Sequence, residues 1–75
     1  MSSAVTLARG VQLPHLRYRR KRALLTQAEL AGLAGLNRKT VYALERGGEA
    51  SRDTIVKLAR ALQCDPHDLM PPEQR

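Results

Sequence analysis

Seventy-five residues make one small domain, with no length for a second core. Hydrophobic residues are 43% of the chain and aromatic ones only 3%, which suits short helices in close contact rather than a sandwich or barrel. The formal net charge of +6 and isoelectric point of about 10.5 point to a polyanion as partner, and the single cysteine, Cys64, excludes an internal disulfide.

Residues 1–11 are small and polar without a period and read as a flexible tail, with Arg9 the residue for an arm entering a groove. The folded unit is then 12–71, and 72–75 fray behind Pro71 and Pro72. A first helix is expected over 14–24. Pro14 fits its first turn, where a missing N–H is harmless, and Leu13, Leu16, Ala23 and Tyr18 are its inward-facing candidates. Arg17, Arg19, Arg20, Lys21 and Arg22 form a dense basic run on it. Thr26 caps a second helix, and Thr26-Gln27-Ala28-Glu29 is a capping box. Leu30, Ala31 and Ala34 form its buried stripe, and Gly35 supplies the positive φ that ends it. Gly32 costs helix propensity without a reason visible in the sequence. Asn37 caps a third helix that runs to Arg46. There Val41 and Leu44 face inward, and Arg38, Lys39, Tyr42 and Ala43 face outward.

Gly47 and Gly48 close that helix. A fourth begins at a Ser51 or Asp53 cap and carries Ile55, Leu58, Ala59 and Leu62 on one stripe. Asp65 and Pro66 open a short fifth helix whose apolar side is Leu69 and Met70. His15 and His67 lack ligand spacing, Cys64 reads as a small apolar residue near a helix end, and no metal or cofactor is expected. No apolar run approaches the ~18 residues of a membrane span. The segment MSSAVTLARG has no charged leader before a hydrophobic block, so the default expectation is a cytoplasmic protein.

From 26 to 47 the spacing is that of two short helices crossing steeply at a tight turn. Ala31 is small where they touch, and Gly35 makes the turn. Leu30, Ala34, Leu36, Val41 and Leu44 fill the junction. That is a helix-turn-helix, which lays its second helix in the DNA major groove.

Over residues 16–70 the chain also resembles the lambdoid phage repressor and Cro family, the xenobiotic-response-element regulators. The resemblance is carried by Leu25-Thr26-Gln27-Ala28-Glu29-Leu30-Ala31, Gly35-Leu36-Asn37-Arg38-Lys39-Thr40-Val41, Leu44-Glu45-Arg46-Gly47, and Leu58-Ala59-Arg60-Ala61-Leu62 followed by Asp65 and Leu69. It implies an all-α, compact five-helix domain of the phage-repressor type, with the recognition helix over 37–46. It implies phosphate contacts from Gln27, Asn37 and Arg46, with Gln27 also bracing the recognition helix. It places Arg38, Lys39, Tyr42 and Ala43 toward base edges, and it pairs Arg20 with Glu45 as a structural ion pair. Two positions depart from the family: Leu24 stands where a glycine is common, and Glu49 lies in a loop that more often carries a basic residue.

The function expected is a sequence-specific double-stranded DNA-binding transcriptional regulator. One recognition helix covers few base pairs, so a homodimer on a (pseudo)palindromic site is expected, with Leu69, Met70 and the end of the fourth helix as its contact surface. The alternative is a protein-interaction module, such as an antitoxin or anti-repressor, that keeps the fold with little DNA binding. Glutamate or apolar residues at 38, 39, 42 and 43 would favour that reading, and Arg, Lys, Tyr and Ala stand there. An enzyme is not expected: there is no Ser/His/Asp set, no carboxylate pair in a cleft and no phosphate loop.

Overall fold

Each helix begins where its sequence supplies an acceptor for the free N–H groups, the first one excepted. The computed structural model describes residues 10–71. The tail expected over 1–9, with Arg9, and the frayed end over 72–75 lie outside the described residues. The order is β1 (Val11–Gln12), α1 (Leu16–Arg22), α2 (Gln27–Ala34), α3 (Arg38–Glu45), β2 (Glu49–Ala50) and α4 (Arg52–Leu62), then a single 3-10 turn at Pro66–Asp68. Thr26 and Glu29 close the capping box on α2, with Glu29 N–H donating to Thr26 Oγ1 at 3.0 Å and Thr26 N–H to Glu29 Oε1 at 2.8 Å. Asn37 caps α3, and Ser51 rather than Asp53 caps α4. His15 precedes α1 with no side-chain cap.

All four helices of the described residues end in one way. After α2, Leu36 N–H donates back to Ala31 O and Gly35 N–H to Gly32 O, the paired bonds of a Schellman motif around a left-handed residue. The same pairs close α3 around Gly47, α1 around Leu24 and α4 around Gln63. Glycine therefore marks two of these ends in the sequence, while Leu24 (φ 60°) and Gln63 (φ 55°) adopt the same backbone without it. This is why α1 stops at Arg22, short of the expected residue 24, and why Ala23 falls outside it and is exposed.

The core draws one or more residues from nearly every element. Leu13 and Leu16 meet Leu30, Ala31 and Ala34 of α2, Val41 and Leu44 of α3, and Ile55, Leu58 and Ala59 of α4. The small residues of α2 let it pack against both α3 and α4. Three expectations are corrected. Tyr18 is 59% exposed, because two residues on from buried Leu16 it lies on the far side of α1. The fifth helix is only the 3-10 turn, capped by Asp65 and closed too soon to form an α-helix. Leu69 behind it is wholly buried and so offers no free apolar face to a second chain, while Met70 packs on the core and is only partly covered.

The domain is also not purely helical. Val11 pairs with Ala50 and Gln12 with Glu49 in a two-stranded antiparallel ribbon, and Gln12 Nε2 donates to Gly47 O at 3.1 Å. The folded part thus starts at or before Val11, inside the stretch assigned to the tail. Among the described residues no helix is long and apolar enough to cross a membrane.

Candidate nucleic-acid interface

Val41 and Leu44 are buried and fix the rotation of α3. The opposite side is then open. Arg38, Lys39, Tyr42, Ala43 and Arg46 are all exposed, and Lys39 and Arg46 fall about two turns apart on one line. Asn37 holds the start of this helix with its Oδ1, which accepts the Lys39 N–H at 2.9 Å. That leaves the Asn37 amide N–H groups for another acceptor.

A buried polar network fixes the other end. Arg20 on α1 reaches Glu45 with two N–H groups: Nε at 2.5 Å from Oε2 and Nη2 at 3.0 Å from Oε1. Its third donor, Nη1, reaches Leu25 O at 2.8 Å, in the turn between α1 and α2. Gln27 Nε2 donates to Glu45 Oε1 at 3.1 Å. The side chains are 11% and 4% exposed, so this is a buried, two-pronged pair and not a solvated surface contact. Burial alone would push the Glu45 carboxyl up. The hydrogen bonds from Arg20 and Gln27 and the charges of Arg20 and Arg17 outweigh it and hold the carboxyl below the ordinary 4.5. The bond to Glu45 in turn raises the Arg20 guanidinium. One carboxylate thus ties α1, the start of α2 and the end of α3 together.

Beside this network lies an open cleft of about 180 Å³, lined by Arg17, Arg20, Gln27, Tyr42, Glu45 and Arg46. Arg17 and Arg46 have guanidinium groups without a hydrogen-bonded partner among the described residues, while the Arg46 guanidinium lies over the Tyr42 ring, 5.4 Å from its centroid. Arg17 was not singled out in the sequence, where it is one member of a basic run. The available signal was its place three residues before Arg20, on the same flank of the helix. The structure therefore brings Gln27, Tyr42, Arg46, Arg20 and Glu45 together at one cleft. It sets Asn37, Arg38, Lys39 and Ala43 along the adjoining exposed side of α3, and adds Arg17. A second stack, Arg22 over Tyr18 at 5.8 Å, lies on the outer face of α1. Cys64 is half-buried, and burial pushes its thiol up despite the nearby Arg19. Among the described residues no group of His, Cys, Asp and Glu is placed to hold a metal ion.

A family model for helix-turn-helix proteins matches residues 16–69. The chain belongs to the Cro/repressor-type helix-turn-helix family. Two solved structures resemble this helix-turn-helix protein. The restriction-modification controller protein C.AhdI from Aeromonas hydrophila is 42% identical, over 75% of this chain and 86% of that one, with a TM-score of 0.72. The hypothetical transcription factor NHTF from Neisseria is 33% identical, over 93% of this chain and 81% of that one, also with a TM-score of 0.72. No curated protein matches the chain. The family and these neighbours make the helix-turn-helix protein a DNA-binding regulator of transcription, not an enzyme.

Proposed function

We propose that this regulator reads a specific double-stranded sequence by laying α3 in the major groove, two copies acting together on a (pseudo)palindromic site. The observation that carries this is the exposed side of α3, where Arg38, Lys39, Ala43 and Arg46 stand clear of the core beside the Arg17–Gln27 cleft. Arg38 and Lys39 are the base readers, and Ala43 lets the helix approach closely. Arg38 leads because its planar fork takes two acceptors on guanine, an arrangement worth about 1–3 kcal/mol of discrimination. Asn37, with its free amide N–H groups, and Arg46 hold backbone phosphates. Gln27 does so with the N–H not engaged by Glu45, and Arg17 joins them from α1. Phosphate contacts set register and carry no sequence information.

The test is enrichment from a random duplex pool, followed by titration of the enriched and scrambled duplexes. The expected result is a motif with half-sites about 34 Å apart, centre to centre. Arg38→Ala should flatten the preference at one position of each half-site and leave binding to scrambled duplex nearly unchanged. Equal affinity for all duplexes, or equal loss on both with Arg38→Ala, overturns the assignment of readers.

A further inference from the structure

Tyr42 has the sequence position of a base reader, yet its ring face already has an occupant. The Arg46 guanidinium carbon lies 5.4 Å from the ring centroid, one turn along the same helix edge. Arg46 is just past the last residue of α3, where the backbone has left helical geometry (φ −96°, ψ 13°). An arginine there carries about 2 kcal/mol of side-chain rotamer entropy. Among the described residues no carboxylate or carbonyl takes its N–H groups. The ring is the group its guanidinium lies against. Stacking uses the flat face of the guanidinium and leaves its N–H edge free. Arg46 lines the cleft together with Arg17 and Gln27, two of the other groups assigned to the phosphate backbone. Tyr42 is 46% exposed, and the ring face toward Arg46 is already occupied.

We propose that Tyr42 serves DNA binding as a positioning residue: its ring face holds Arg46 at the cleft, aimed at a backbone phosphate, and so it acts alike on every sequence. The inference rests on the reading of α3 as the DNA-contacting helix. It moves Tyr42 from specificity to anchoring. A guanidinium ordered before contact loses less freedom on binding than a free one, so the stack adds affinity without a contact of its own to DNA.

The test uses Tyr42→Phe, Tyr42→Leu, Arg46→Ala and the Tyr42→Leu/Arg46→Ala double variant. Each is titrated over a range of salt with the duplex enriched by the unmodified protein and with a scrambled duplex, and thermal melts confirm folding. Tyr42→Leu should weaken both duplexes by the same factor, roughly two- to fivefold for an exposed stack, and Tyr42→Phe should restore binding because it keeps the ring. Arg46→Ala should lower the salt slope of log K by about one, and the double variant should bind no more weakly than Arg46→Ala alone. A changed preference among enriched-duplex variants with Tyr42→Leu or Tyr42→Phe overturns the proposal, as does full additivity in the double variant. An unmodified protein that binds no duplex overturns the DNA-binding reading itself. One that binds duplex but shows a changed preference or full additivity overturns only the positioning role.

Discussion

Leu24 carries a backbone conformation that its own Cβ opposes. Its φ is 60° and its side chain is 89% exposed, so little packing offsets a left-handed penalty of roughly 1–2 kcal/mol. Leu24→Gly should therefore stabilise the domain by about 1 kcal/mol, less the extra unfolded-state freedom of glycine, and raise Tm by several degrees in a circular-dichroism melt. A lowered Tm would show that the exposed side chain holds the turn after all. Gly32 is the reverse case. A Cβ there meets nothing within 4 Å and the residue is in α2 with ordinary φ, so Gly32→Ala should gain about 1 kcal/mol of helix propensity, read by the same melt. Single residues were legible where side-chain chemistry announces them, as at Thr26, Asn37 and Gly35. Leu24 was marked only by the family's glycine at its place and Gln63 not at all, because their turns are enforced by the bonds from Leu25 to Arg20 and from Cys64 to Ala59, against local preference.

Between elements, the Arg20–Glu45–Gln27 network sets how α1, α2 and α3 meet. Removing one partner of a buried pair strands the other, a loss of about 3–5 kcal/mol, which is a large share of the stability of a small domain. Glu45→Gln should thus cost several degrees of Tm beyond a surface substitution, and unchanged stability would show the pair to be ornamental. The pH dependence has a definite sign. The folded carboxyl titrates below 4.5, so its stabilisation is complete above that value and is lost as pH falls through the lower, folded-state pKa. A melt series from neutral pH downward should show a fall in Tm beginning near pH 4.5 that is smaller in the Glu45→Gln variant. Helices α2, α3 and α4 were legible because cap and apolar stripe agree over their length. The 3-10 turn has the same cap chemistry at Asp65 and Pro66, but Leu69 reaches the core within one turn and helix growth stops there. The ribbon was not legible, since two-residue strands carry no period and their partners are far apart in the chain.

At the scale of the molecule, the charge of +6 favours approach to DNA, and in the proposed reading the exposed side of α3 gives that attraction a direction. A two-copy complex requires a contact surface other than Leu69, which the core already consumes. Sedimentation should give two chains per palindromic duplex, and a one-to-one complex would count against paired action. Leu24 and Leu33, both exposed, are the first positions at which a charged replacement should be tested for its effect on that stoichiometry.

The pairing of β1 with β2 has a kinetic consequence. Gln12 and Gly47 are 35 residues apart in sequence, and their contact closes a loop around α1, α2 and α3. Such a closure loses chain entropy before it gains any contact, whereas each helix forms from near neighbours. The ribbon should therefore form last and open first, as a local fraying that leaves the helical core intact. Amide hydrogen exchange should be faster across the ribbon than in the middle of α2 and α4. During each such opening the segment just behind α3 loses its tether, so the residues that follow the helix gain freedom without any unfolding of the domain.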